Sequence, residues 1–233
     1  MKIMWAITGA GHLLEESINV LEQLSKKHEL TIIFSNAGLE VVNLYGFYKK
    51  IEWIEKENEN NMIIFDDDEK YSYPLSGKLT YNRYDLIIIS PTTANTTAKI
   101  VHGIADTLVT NVAAQSGKGQ IPLIVVPVDQ EEGLITTTLP PRIDKNKCIV
   151  CKICMARSIC PTKAFNPPVI DTGKCIRCMQ CEGYCIHDAI ITDEKMELYI
   201  RKIDAENTKK LSKIENVTTI YNPLEILEHE LLD

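Results

Sequence analysis

No apolar stretch in this 233-residue chain approaches the ~18 residues that a membrane-spanning helix needs. The first eleven residues are too short, and too soon broken by glycine, to serve as a secretory signal. A basic excess is missing too. The net charge is −7, so the chain lacks the cationic surface by which proteins hold nucleic acid. These absences predict a cytoplasmic protein with neither membrane nor nucleic acid as a partner. Outside one stretch the chain also has no cysteine. What is present is a hydrophobic content of 45%, enough for a real core, at a length that suits one large domain or a domain plus a small module.

All eight cysteines fall between Cys148 and Cys185. Cys148, Cys151 and Cys154 make one C-x-x-C-x-x-C run, and Cys175, Cys178 and Cys181 make a second. Cys160 and Cys185 trail them. Cysteines two residues apart let a short loop wrap one corner of a [4Fe–4S] cubane, and the fourth iron takes a thiolate from farther along. In two-cluster ferredoxins that fourth ligand comes from the other motif. The spacing therefore predicts two clusters, one held by Cys148, Cys151, Cys154 and Cys185, the other by Cys175, Cys178, Cys181 and Cys160. Pro161 follows Cys160 as the pattern expects. Five residues rather than three separate Cys154 from Cys160, and Ile186 rather than proline follows Cys185. Zinc sites pair their cysteines and do not add a third at the same spacing. Disulfides would need an oxidising compartment.

The rest of the chain alternates strand and helix signals. Short apolar runs predict strands at Ile3–Ile7, Leu30–Phe34, Asp85–Ile89 and Ile121–Val126, with a minor one at Met62–Phe65. Helical patterns cover Leu13–Lys26, Ala94–His102 and Thr107–Gln115. Glu52 to Glu69, charged and Asn-rich, predicts a solvated helix and loop. Such alternation indicates an α/β fold, a three-layer Rossmann or flavodoxin-like parallel sheet. Ligands bind such sheets at the strands' carboxyl ends. Here those ends carry Thr8-Gly9, Ser35, Ser90 to Thr93 and Asp129-Gln130, residues suited to a phosphate-bearing cofactor and equally to ordinary turns and caps. Pro140-Pro141 opens a ferredoxin-like α+β insert over residues 139–192 whose two halves repeat, Ile170-Asp171 echoing Ile143-Asp144. The α/β pattern resumes beyond it, with a strand at Leu198–Arg201, a helix at Asp204–Ile214, a strand at Val217–Tyr221 and a helix at Pro223–Leu232. Residues 1–138 and 193–233 are thus expected to form one domain around the insert.

Ile7-Thr8-Gly9-Ala10-Gly11-His12 and Ser90-Pro91-Thr92-Thr93-Ala94-Asn95-Thr96, with Ala98 to Asp106 and Leu123 to Pro127, resemble the flavoproteins that include phosphopantothenoylcysteine decarboxylase and flavin prenyltransferase. Thr8 to Glu16 and Pro127-Val128-Asp129-Gln130 are most similar to archaeoflavoproteins and dihydromethanopterin reductases, some of which carry a two-cluster insert. The resemblance implies FMN at the strand ends of a homo-oligomer, commonly trimer-based. By motif, Thr8, Gly9, Ala10 and Ser35 would meet the phosphate or ribityl chain. Thr92, Thr93 and Asn95 would hold phosphate and flavin, and Asp106, Leu108 and Thr110 would line the flavin pocket. The decarboxylases' Pro-x-Met-Asn segment is replaced by Pro127 to Gln130, and residues 29–101 contain no histidine, which argues against cysteine decarboxylation.

Asp129 is the candidate proton donor or acceptor at a pterin nitrogen, with loop anchoring as the alternative. His12 is a candidate contact to flavin phosphate or substrate, with a plain helix-start role as the alternative. Lys99 and His102 read as solvated and capping residues. The expected function is an iron–sulfur flavoprotein oxidoreductase. An external ferredoxin-like one-electron donor would feed two [4Fe–4S] clusters and FMN, and dihydromethanopterin would be the acceptor. An electron-transfer flavoprotein without a small-molecule substrate is the alternative.

Overall fold

Strand β1 (Lys2–Ile7) is buried from its second residue onward, as a strand must be when helices cover both faces of its sheet. The computed structural model describes residues 1–66 and 84–232. In them β1 is followed by α1 (Leu14–Ser25), β2 (Glu29–Phe34), α2 (Asn36–Tyr45), α3 (Tyr48–Lys56) and β3 (Met62–Ile64). Residues 67–69, the end of the expected solvated segment, lie outside the described residues. The chain continues with β4 (Leu86–Thr92), α4 (Ala94–Val101), α5 (Leu108–Gly119) and β5 (Leu123–Pro127). Alternate residues of β1 face opposite layers. Ile3, Trp5 and Ile7 pack with Leu14, Ile18 and Leu21 of α1. Met4 and Ala6 pack with Leu108 and Val112 of α5. Trp5 is fully buried, and its Nε1 donates to Ser90 O at 3.0 Å. Truncating it to alanine would cost about 3–5 kcal/mol.

After β5 the chain leaves the sheet along β6 (Gly133–Thr138) and returns along β11 (Lys195–Ile200), the two forming an antiparallel ribbon. Between them lie β7 (Arg142–Ile143), α6 (Met155–Ile159), β8 (Phe165–Asn166), β9 (Val169–Ile170) and β10 (Ile190–Ile191). The return strand was expected as part of the resumed α/β pattern. It pairs with β6 instead, and its exposed Leu198 and Tyr199 suit a two-stranded ribbon better than a covered sheet. The chain ends with α7 (Lys202–Leu211) and β12 (Val217–Thr219). The helix expected at Pro223–Leu232 is two 3₁₀ turns, Pro223–Glu228 and Glu230–Leu232. A three-residue period puts Pro223 and Ile226 on the same buried side.

The main sheet runs β12-β5-β4-β1-β2-β3, with every neighbouring pair parallel. The chain winds outward from β1 in one direction and from β4 in the other. The carboxyl ends of β1 and β4 therefore flank the crevice where such sheets bind ligands.

Candidate functional site

Thr8 ties that crevice together. Its hydroxyl donates to Pro91 O at 2.8 Å and accepts from Thr93 N at 2.8 Å, while its N–H donates to Pro91 O at 3.2 Å. Thr93 is the N-cap of α4, its Oγ1 accepting from Thr96 N at 3.2 Å. Ser35 caps α2 in the same way, accepting from Gly38 N at 3.1 Å. A Cβ on Gly9 would come within 2.7 Å of Ala37 Cβ, and one on Gly11 would overlap the Tyr45 hydroxyl. The first turn is thus pressed against α2, which only glycine allows. The starts of α2 and α4 meet around Thr8-Gly9-Ala10, and hydroxyls beside helix N-termini fit an anionic phosphate. Thr92 is fully buried and spends its hydroxyl on Ile89 O at 2.7 Å, whereas Asn95 is exposed.

Asp129, two residues past the end of β5, lies near enough to the start of α4 for the Ala94 N–H to favour its carboxylate. Burial first, then the Asp204 carboxylate, raise its pKa; Ala94, His12 and Arg201 oppose the rise without cancelling it. Burial lowers the His12 pKa, against the pull of Glu16 and Asp129. The structure therefore brings His12 and Asp129 into one electrostatic group beside Thr93. Asp106, Leu108 and Thr110 make local contacts instead. Asp106 is paired with Lys99 at 2.8 Å, which holds its carboxyl below the usual range. Leu108 is a core residue whose N–H donates to Asp66 at 2.9 Å. Thr110 completes a capping box with Thr107. Lys99, read above as solvated, has Asp106 as its partner, because the turn after α4 brings the carboxylate back to it. His102 is the C-cap of α4.

The insert folds as two interlocked repeats. The Asp144 carbonyl accepts from Cys148 N at 2.9 Å, and the Asp171 carbonyl accepts from Cys175 N at 3.1 Å. Asp144 N donates to Ala189 O at 2.7 Å and Asp171 N to Ala164 O at 2.8 Å. Strand β7 pairs with β10, and β8 with β9. The beginning of the first repeat is thereby bound to the end of the second, which carries Cys185 toward the Cys148 loop. The five-residue spacer after Cys154 is one helical turn, α6, where the second repeat has the 3₁₀ turn Glu182–Tyr184. Cys160, Cys175, Cys178 and Cys181 line one pocket. Burial, then the neighbouring thiols, push Cys181 up to about 11. Burial also raises Cys175. Cys160 is lowered, because N–H groups of Phe165 and Ala164 and the Thr162 hydroxyl outweigh its burial. Among the described residues no three His, Cys, Asp or Glu groups close around a single ion. Thiols set around a shared pocket suit the corners of a four-iron cluster.

Sequence reasoning missed Arg177. Val150 and Arg177 hold the same place in the two loops, at φ +51° and +50°, yet Val150 is 54% exposed and Arg177 only 9%. Arg177 N donates to Cys175 Sγ at 3.3 Å, while its side chain leaves the insert. Nε donates to Glu15 at 3.2 Å, Nη2 donates to Thr192 O at 3.3 Å, and the guanidinium lies over the rings of Tyr45 and Phe47. Gly46 closes the same contact, since a Cβ there would come within 3.1 Å of Cys175 Sγ. A cavity of about 170 Å³ is bounded by Gly11, His12, Tyr45, Thr137 and Arg177. The second cysteine loop thus sits against the first turn of the parallel-sheet domain. The available signal was a long basic side chain between two cysteines where the other repeat has valine.

Residues 1–161 match the flavoprotein family, and residues 168–191 match the 4Fe-4S binding domain. A dihydromethanopterin reductase (acceptor) of Methanocaldococcus jannaschii is 44% identical over 98% of this chain and 95% of its own. The chain belongs to the dihydromethanopterin reductase (acceptor) family of flavoproteins. A reductase of the same name from Methanosarcina mazei is 35% identical over 97% of this chain and 98% of its own. The crystal structure of Burkholderia xenovorans DmrB in complex with FMN, described as a cubic protein cage for redox transfer, superposes with a TM-score of 0.62 at 26% identity. It covers 97% of this chain and 91% of its own. The chain is therefore an iron–sulfur flavoprotein oxidoreductase, its flavoprotein match followed by a 4Fe-4S binding segment. Among the described residues no helix is long and apolar enough to cross a membrane.

Proposed function

We propose that this chain reduces dihydromethanopterin to tetrahydromethanopterin in the cytoplasm, drawing electrons from a ferredoxin-like donor. The observation that carries the reading is the Arg177 joint, which sets the second cysteine loop against the turn proposed to hold the flavin. When bound, two [4Fe–4S] clusters supply one-electron transfer and FMN supplies the hydride equivalent that the pterin C=N bond accepts.

Thr8, Gly9, Ala10 and Ser35 form the cradle for phosphate and ribityl oxygens, with Thr93, Asn95 and the start of α4 on its other side. Thr92 supports that loop from beneath through its bond to Ile89 O. Asp106, Leu108 and Thr110 make their contacts within one chain, Leu108 and Thr110 buried there; a flavin shared across a trimer-based homo-oligomer is carried by the resemblance to the FMN flavoproteins. Cys148, Cys151, Cys154 and Cys185 would hold one cluster, and Cys175, Cys178, Cys181 and Cys160 would hold the other, whose loop packs beside Gly11 and His12. Asp129 keeps its proton to higher pH than an ordinary aspartate, which suits it to donate at a pterin nitrogen, and His12 shares its field. The insert is taken as residues 139–192, between 1–138 and 193–233.

The direct test mixes dithionite-reduced holoprotein anaerobically with dihydromethanopterin. Reoxidation of the flavin with formation of the tetrahydro product is expected. Absence of product would leave an electron carrier between proteins.

A further inference from the structure

The two cysteine loops share a left-handed residue at Val150 and Arg177 but not an environment. The second is covered by Tyr45, Phe47 and Gly46 of the parallel-sheet domain. The first faces outward. Its side chains Ile149, Val150, Ile153 and Met155 are all exposed, Ile153 by 80%. Ile186, exposed by 82%, follows the cysteine that the β7–β10 pairing carries to that loop. Contiguous apolar side chains left in solvent mark an interaction surface. Their charge setting is equally distinctive. Lys145, Lys147, Lys152, Arg157 and Lys163 lie in a stretch of sequence with no carboxylate, in a chain of net charge −7; the carboxylates near this face are Asp171, which shares a pocket with Arg157, Lys163 and Lys174, and the exposed Glu182 and Asp188 on either side of Ile186. All five basic residues of the stretch are exposed, and none has an ion-pair partner among the described residues.

We propose that this face, an apolar centre of Ile149, Val150, Ile153 and Ile186 within a cationic rim, is the docking surface for an acidic one-electron carrier protein. The rim attracts and orients a negatively charged partner, and the apolar centre excludes water once the two have met. Each docking event oxidises the carrier by one electron and reduces the chain by one, with no bond made or broken. Two events deliver the pair that a hydride equivalent needs. The surface rests on the proposed function for the donor's chemical class and for what happens to those electrons afterwards.

The probe is an acidic plant-type [2Fe–2S] ferredoxin, and the protein is the cluster- and flavin-loaded chain. Calorimetry would measure binding of the oxidised ferredoxin, and stopped-flow absorbance would follow electron uptake from the reduced form, each across a salt series. Binding and uptake should weaken as salt rises. Lys145→Glu with Arg157→Glu, neither adjacent to a cysteine, should slow uptake about tenfold at low salt and flatten the salt dependence. Its iron content and its rate of reduction by dithionite should be unchanged. Ile153→Ser with Ile186→Ser should speed ferredoxin dissociation and leave the salt slope intact. The proposal is overturned if the charge-reversed variant takes electrons as fast as the parent, or if binding ignores salt. It is also overturned if the serine variant dissociates an oligomer of the chain alone, which would make the face a contact between copies. Uptake from ferredoxin with no pterin reduced would instead overturn the proposed function and leave the surface standing.

Discussion

The Arg177 guanidinium donates to the Glu15 carboxylate at 3.2 Å across a sequence separation of 162 residues. The bond joins the second cysteine loop to the first helix of the parallel-sheet domain. Its two ends are unequal, because the Arg177 side chain is 3% exposed and that of Glu15 is 51%. The desolvation cost therefore falls on the arginine, whose packing on Tyr45 and Phe47 offsets it.

Arg177→Gln should accordingly destabilise the loaded protein by about 2 kcal/mol, and Glu15→Gln by about 1 kcal/mol or less, in denaturant titrations. The arginine variant should also pass electrons from clusters to flavin at least about tenfold more slowly, a loosened joint being a longer path. An unchanged rate of flavin reduction, with iron and flavin content intact, would rule out this joint as the route.

Anaerobically prepared protein should contain about eight irons per chain, the sum of two four-iron clusters. Cys160→Ser should damage the cluster of Cys175, Cys178 and Cys181, which share its pocket, and not the one nearer in sequence. Electron paramagnetic resonance of the reduced variant separates the two cases. Loss of the other cluster's signal would contradict crossed ligation.

Because burial raises the Asp129 pKa above 3.8, the folded chain holds that proton to higher pH than the unfolded chain. Stability linked to Asp129 is full below 3.8 and is lost as pH rises through the folded-state value. The stability of Asp129→Asn relative to the parent should therefore grow as pH climbs above about 4 and then level off. If Asp129 supplies the proton, pterin reduction in the parent falls with rising pH. The asparagine variant should lose about a hundredfold in rate and lack that limb. A pH–rate profile with the same limb in both proteins would reassign the proton.

Thr8→Val leaves Thr93 N without its partner and Pro91 O with the Thr8 N–H alone, and should cost about 1–3 kcal/mol. Gly9→Ala drives a methyl group into Ala37 and opens the same cradle. Both variants should bind FMN at least about tenfold more weakly in fluorescence titrations, with cysteine-bound iron unaffected. Parent-like affinity would remove the β1 turn from the flavin site.

Strands β1, β2, β4 and β5 were legible because a strand covered on both faces must be apolar throughout, and these runs have no other use. The cysteine loops were legible because cluster geometry demands a fixed spacing. Ribbon β6–β11 was not, since its residues are half exposed and its partners lie some sixty positions apart. The 3₁₀ turns near the end escaped notice because a short apolar run does not distinguish a three-residue period from a 3.6-residue one.

From local order alone, the sequence determined that the chain has a doubly wound parallel sheet, a hydroxyl- and glycine-rich edge, and eight thiols in two repeats. Only the tertiary structure decided which repeat faces inward. Val150 and Arg177 share a left-handed φ, and the valine-for-arginine difference between their loops does not by itself say which loop turns inward. The distinction arises because the β6–β11 ribbon holds the insert so that one loop meets Glu15, Tyr45 and Phe47 while the other meets water. A contact between residues 162 positions apart leaves no periodic trace in the chain, because its energy comes from burial and charge pairing that exist only once both parts have folded.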